Sequence, residues 1–259
     1  LDLAPIVPAT TTVCAVELAT LSAALRHGLG VEEIALLFAS FHLGYLVADP
    51  LRRRMAIGTS ALAAVTAAAA VTLCFLDEGA ELFISAAVLL VFNAFAQAAR
   101  RSLKELAVAR SATKNIGKGI GMVLGGLLGS LQLGPIALML FAVYFIFCRT
   151  PGVKLLVPAE PIALSRHDRV LLWGEFMHHM HYFTYCYVFW YLAPELISPM
   201  IGLWFLVGWL AYFVTELMWR ETRQVFVPKI VAVGHLLVMV ALLAMPNINS
   251  VGVLVAWFV

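Results

Sequence analysis

Glu17 interrupts an otherwise apolar run, residues 3–25, with Ala, Val, Leu and Thr around it. A carboxyl group at membrane depth is costly and tends to face a bundle interior or a cavity. There it could take up and release a proton, or contact a cationic substrate. The plainer alternative is a neutral glutamic acid hydrogen-bonded to the next helix. A denser polar set follows at Glu175, Met177, His178, His179, Met180, His181 and Tyr182, continued by Tyr185 and Cys186. At about 100° per residue, Glu175, His178, His179, Tyr182, Cys186 and Phe189 share one broad helical stripe, bordered by His181 and Tyr185. Such a stripe does not suit lipid. Three chemistries compete for it: proton transfer, since imidazole titrates near neutrality; coordination of Cu or Zn by a His/Met group; and aromatic, amphipathic packing. His178 and His181, three apart, supply two metal ligands and not a site, so further ligands would come from Glu17, His42, Cys14 or Glu175.

Asn93 and Gln97 stand one turn apart on the same face, followed by Arg100 and Arg101. The amides could line the inner half of a cavity, with the arginines at headgroup level. Asp49 and the run Arg52, Arg53 and Arg54 gather charge where the second apolar run ends. Gly117, Gly121 and Gly125, spaced by four, with Gly126 alongside, let two helix backbones approach closely.

These groups need helices to hold them, and composition says in what solvent. The chain of 259 residues is 63% hydrophobic and only 12% charged, against about 25% charge in ordinary soluble domains. With a mean hydropathy of +0.95, it has too little polar surface for a water-soluble globule. Lipid is the expected surrounding. The net charge of +2 gives no reason to expect a nucleic-acid partner. The four cysteines lie in apolar stretches without CxxC spacing, so no disulfide framework is expected. Of the seven histidines, His27, His42, His167 and His235 are scattered, so the several histidine boxes of a membrane di-iron oxygenase are not made. No nucleotide-binding loop is present. The reading is therefore not an enzyme, with no cofactor. There is no cleavable-signal pattern. The chain begins without Met and stops inside an apolar run, as a fragment of a longer protein would.

A bilayer crossing takes about 20 apolar residues. Runs at 3–25, 34–48, 55–76 and 82–99 are four candidates. The uncharged run 119–148 is too long for one span, and Gly134-Pro135 should divide it, the first part starting near 114 and the second ending near 157. Runs at 170–194 and 196–215 follow, and 230–259 turns at 246–250. That makes nine spans and the start of a tenth. Of the 17 Lys and Arg residues, 16 fall after even-numbered spans: three after the second, six after the fourth, four after the sixth and three after the eighth. Arg26 alone lies opposite, while Glu32, Glu33, Asp77, Glu78 and Glu81 occupy the other loops. The positive-inside bias puts the even loops and the N-terminus in the cytoplasm.

A direct repeat runs beneath this order. At an offset of 167, Phe38, Leu43, Tyr45, Val47, Asp49 and Arg53 meet Phe205, Leu210, Tyr212, Val214, Glu216 and Arg220. Together these features resemble the major facilitator superfamily of secondary transporters, whose two six-helix bundles are parallel repeats. The family's loop between helices two and three reads Gly-x-x-x-Asp-Arg-x-Gly-Arg-Arg. Asp49, Arg53 and Arg54 fall in register with it; Gly44 is one residue early, Pro50 replaces an Arg and Arg52 a Gly. The resemblance implies a cytoplasmic gate built from Asp49 with these arginines. Gly117-x-x-x-Gly121-Met122-Val123-Leu124-Gly125-Gly126 follows the family's antiporter signature, with Met122 in place of Pro.

The expectation is an all-α polytopic membrane protein: a six-helix bundle over 1–157, a cytoplasmic linker over 158–169, and a second bundle over 170–259 that is incomplete in this chain. It would sit in the inner membrane and carry a small solute by alternating access, coupled to protons or another ion. Glu17, Asn93, Gln97, Glu175, His178, His179, His181 and Tyr182 are the candidate substrate or proton pathway. Two other readings stand beside it: a non-transporting scaffold of the same architecture, partnered in a membrane complex, and a Cu/Zn carrier using the cluster at 175–181.

Overall fold

The structure is a computed structural model. It describes residues 5–76, 79–107, 111–130 and 132–155, with isolated positions between 165 and 240. Among the described residues every regular element is helical: α1 (Ile6–Arg26), α2 (Val31–Arg54), α3 (Thr59–Cys74), α4 (Ala80–Ala107), α5 (Ser111–Ser130) and α6 (Gly134–Cys148). Among the described residues, three helices are long and apolar enough to cross a membrane: α1, α2 and the part of α4 at Ala80–Leu103.

The expected spans shift where the chain's local chemistry differs from its hydropathy. The segment 49–54, read as lying outside the second span, belongs to α2, which runs to Arg54 with Pro50 inside it. Arginine is a good helix former, and three cations in the last turn complement the helix dipole. Pro50 forfeits one i→i−4 hydrogen bond and crowds the carbonyl four residues back, yet the helix continues past it to Arg54. The sixth span, expected to end near 157, stops at Cys148. Arg149 turns left-handed, with φ at 44°, and Thr150 precedes Pro151, a position that disfavours helix. The third span, expected over 55–76, keeps only Thr59–Cys74, because Met55–Gly58 is held in a different way (below). Between α5 and α6 the chain turns at Gln132 and Leu133, and Pro135 stands in the first turn of α6, where its missing N–H is no loss.

The helices pair as α1 with α5, α2 with α4, and α3 with α6, while α4 also lies along α3. Exchanging the first three helices for the last three, in order, turns the α1–α5 pair into the α4–α2 pair and α3–α6 into itself.

Apolar side chains lie both inside the bundle and on its outer surface. On α2 the buried stripe is Ile34, Leu37, Phe38, Phe41, Gly44, Ala48 and Arg52, at the three-and-four spacing of one helix face. The outward face is as apolar: Leu43, Tyr45, Leu46 and Val47 are exposed. On α6, Ile136, Leu140, Ile146 and Phe147 stand out. Inside lie Thr10, Thr11, Thr12, Thr20, Ser22, Asn93, Gln97 and Ser102, all buried. Cys14, Cys74 and Cys148 are not in disulfides.

Candidate functional site

The α1–α5 seam is built by the glycines. A Cβ on Gly117 would lie 2.8 Å from the Val7 carbonyl oxygen; on Gly121, 2.5 Å from that of Thr11 and 2.7 Å from Cys14 Cβ; on Gly125, 2.8 Å from Ala15 Cα. No side chain fits there, so the two backbones touch. Thr11 Oγ1 donates across the seam to the Gly117 carbonyl at 3.1 Å. Gly126 lies in α5 beside this face. Glu17, on α1 and partly buried, follows Cys14 by three residues. That is one turn on, along the same face.

The α2–α4 seam carries the polar groups. A Cβ on Gly44 would lie 2.5 Å from the Leu90 carbonyl oxygen and 2.8 Å from the Ala94 nitrogen, so α4 presses directly on α2. That closeness lets the Asn93 amide donate to the Phe41 carbonyl at 2.6 Å. Gln97 Nε2 donates to Asn93 Oδ1 at 3.0 Å, and Arg100 Nη2 donates to Gln97 Oε1. A ladder of three side chains therefore climbs α4, anchored on the backbone of α2. Removing Asn93 would strand the buried Gln97 donor, at a cost of about 1–3 kcal/mol. Asn93→Leu is expected to lower the melting midpoint of the detergent-solubilised protein, and Asn93→Leu with Gln97→Leu to cost less than the sum of the single changes. Additive losses would mean the two amides do not act as one unit.

Below the ladder the charges pair. Asp49 Oδ1 accepts from Arg101 Nη1 at 2.6 Å and lies 3.7 Å from Arg52 Nη1. The Arg101 guanidinium also covers the Tyr45 ring, 4.4 Å from its centroid. Arg53 and Arg54 are exposed in the last turn of α2. The structure thus brings Asp49 to Arg52 and Arg101 and sets the other two arginines outward. Arg100 and Arg101, both expected at headgroup level, belong to these two networks between helices.

A strap that the sequence reading missed closes the same end. Arg149–Leu155 folds back on Met55–Gly58. Thr59 N–H donates to the Thr150 carbonyl at 3.1 Å, and Thr150 N–H donates to Thr59 Oγ1 at 2.9 Å. Leu155 N–H reaches the Arg52 carbonyl at 2.9 Å, and Ser102 Oγ donates to the Val153 carbonyl at 3.3 Å. Gly58 and Gly152 allow it: a Cβ on Gly152 would fall on the Ile57 backbone, and one on Gly58 on the Thr150 carbonyl. The strap replaces the helical bonds that α3 and α6 would otherwise extend. Further on, Ser165 N–H and Oγ–H both donate to Asp168 Oδ2, at 2.9 and 2.7 Å, while Ser165 Oγ accepts from Asp168 N–H at 3.1 Å. This reciprocal cap holds the Asp168 carboxyl below its ordinary value.

Glu175, His178, His179, His181 and Tyr182 lie outside the described residues, as do the second-repeat positions from Phe205 to Arg220. Among the described residues, no three His, Cys, Asp or Glu side chains lie close enough to share a metal ion. No family model, curated protein or solved structure matches the chain.

Proposed function

We propose that this chain is a polytopic inner-membrane carrier of major-facilitator type that moves a small solute by alternating access, driven by a proton or ion gradient. The observation that carries the proposal is the apolar exterior: apolar residues cover the outer face of α2 and α6, while the amides and hydroxyls that are buried lie between the helices. Soluble proteins rarely expose continuous apolar patches beyond a few hundred Å²; a bilayer solvates such a surface. The pairing of helices supports the family reading in part: exchange of the two triplets preserves α1–α5 with α2–α4 and α3–α6, as nested three-helix repeats would, while the contact of α4 with α3 has no equally close image. The ion pair of Asp49 with Arg101 lies at the end where α2 and α4 terminate and α3 begins. With the N-terminus inside, that end is cytoplasmic, which suits a gate.

The test is uptake into proteoliposomes with and without an imposed pH gradient. Glu17→Gln removes the exchangeable proton with little change of shape. It is expected to abolish gradient-driven uptake while leaving the protein monodisperse and its melting midpoint in place. Flux that survives Glu17→Gln would remove Glu17 from the coupling path. No flux of any solute, together with stably co-purifying membrane partners, would favour the scaffold reading.

A further inference from the structure

We infer that Arg100 is the point at which the carrier recognises its solute, and that the solute bears a single oxyanion, a carboxylate or a phosphate ester. The inference rests on the transport reading above and names the substrate class for it.

Arg100 and Arg101 are neighbours on α4, about 100° apart around the helix, and meet different fates. Arg101 turns to α2, where Asp49 balances its charge and Tyr45 covers it. Arg100 lies within electrostatic range of Cys14 on α1, and its hydrogen bond goes to the neutral Gln97. Among the described residues no carboxylate pairs with it. A cation inside a membrane span without a counter-charge is costly, and such groups mark substrate pathways. The ion pairs of Asp49 run to Arg101 and Arg52, and none runs to Arg100 among the described residues.

The site is also built. Gln97 is held by Asn93, and Asn93 by the Phe41 carbonyl, so the guanidinium is oriented from behind. Of its N–H donors, the ladder engages Nη2 alone. The planar fork that remains matches two oxygens of a carboxylate or phosphate. Arg100 is largely buried and keeps a minor part of its surface open. It lies seven residues from the end of α4, about 10 Å along the helix, inside the bundle rather than beyond it. One carboxylate stands among Arg52, Arg101 and the neighbouring Arg100, so this end of the seam keeps a small excess of positive charge, which suits one oxyanion group better than a polyanion.

The oxyanion could come from a dissolved solute or from a lipid headgroup, and the experiment separates the two. The full chain is placed in nanodiscs of phosphatidylcholine alone, with Cys14 as the sole cysteine. Its alkylation rate and melting midpoint are followed as sodium chloride is exchanged for sodium acetate or sodium phosphate at constant ionic strength. Acetate and phosphate are expected to slow the alkylation of Cys14 and raise the midpoint by several degrees. Arg100→Gln should lose both effects, and Arg100→Lys should keep part of them. Should Arg100→Gln fail to fold, the wild-type ratio of anionic to cationic thiosulfonate reactivity at Cys14 carries the test: an excess for the anionic reagent, reduced in Arg100→Lys, supports the site. Responses equal in wild type and Arg100→Gln, or no response to either anion, overturn it. Protection that needs phosphatidylglycerol in the nanodisc and ignores dissolved anions overturns the solute class and assigns the site to lipid. Uptake of a neutral or cationic solute with no anion effect sinks this inference and leaves the carrier standing. Anion binding without flux of any solute sinks the carrier instead, and with it Arg100's place in a transport path.

Discussion

Gly121→Leu is expected to abolish the folded bundle, whereas Gly121→Ala should weaken it without abolishing it. The two results follow from one geometry. A methyl group at this position meets the Thr11 carbonyl oxygen at 2.5 Å and Cys14 Cβ at 2.7 Å. Both are backbone or backbone-fixed atoms, so α1 must move. Overpacking of this kind costs about 1–3 kcal/mol, but alanine recovers roughly 1 kcal/mol of helix propensity over glycine. The net effect of alanine is a fall of a few degrees in melting midpoint. Leucine gains no more propensity and adds three carbons to a seam with no space for the first. Gly117 and Gly125 make contacts as close one turn to either side, so opening the seam at Gly121 also breaks the Thr11–Gly117 hydrogen bond and strips packing from the length of α5. The summed loss approaches the whole stability of a typical domain, about 5–15 kcal/mol. Size-exclusion chromatography in mild detergent checks it. The leucine variant should run as aggregate and Leu127→Ala, at an exposed position of α5, as wild type. A monodisperse Gly121→Leu protein with an unchanged midpoint would mean that α1 and α5 do not meet there.

How much of this was legible in the sequence depends on whether the partner leaves a local mark. Glycines at spacing four announce a close helix contact, and their positions in α5 could be read directly. Their partner could not, because α1 offers only Thr10, Thr11, Cys14 and Ala15, small residues without a distinctive signal. Asn93 and Gln97 read as a pair because they stand one turn apart. The acceptor that fixes them, the Phe41 carbonyl, is backbone and has no sequence signature. Hydropathy placed α1 and α4 to within a few residues at their apolar ends. It ended α2 early because it senses where lipid should stop, not where a helix stops, and arginines continue a helix readily. It overran α3 and α6 because their ends are set by Thr59 and Thr150, 91 residues apart. The charge pattern showed one partner and hid the other: Arg52, three residues on, lies 3.7 Å from Asp49, yet the short contact is Arg101 on α4, 52 positions away.

Reversing either charge of that contact should damage the protein, and reversing both should repair most of it. Exposed ion pairs contribute up to about 1 kcal/mol, and breaking a buried one costs about 3–5 kcal/mol. The Asp49 side chain is 45% exposed and that of Arg101 22%, so Asp49→Asn belongs between these limits, about 1–2 kcal/mol. Asp49→Arg goes further, since it places another cation among Arg52 and Arg101 and turns two attractions into repulsions. Arg101→Asp faces two carboxylates across the α2–α4 seam, with Arg52 the nearest relief. Joined in one chain, the two reversals restore an opposite-charge pair at the same place. The repair should fall short by the stacking of Arg101 on Tyr45, about 0.5–1 kcal/mol at a partly exposed site, because an aspartate there offers the ring nothing. Melting midpoints of the four proteins give the coupling directly, and uptake rates show whether the gate follows stability. Two single reversals without effect, or a double variant no better than the worse single, would mean that Asp49 and Arg101 do not hold α2 to α4.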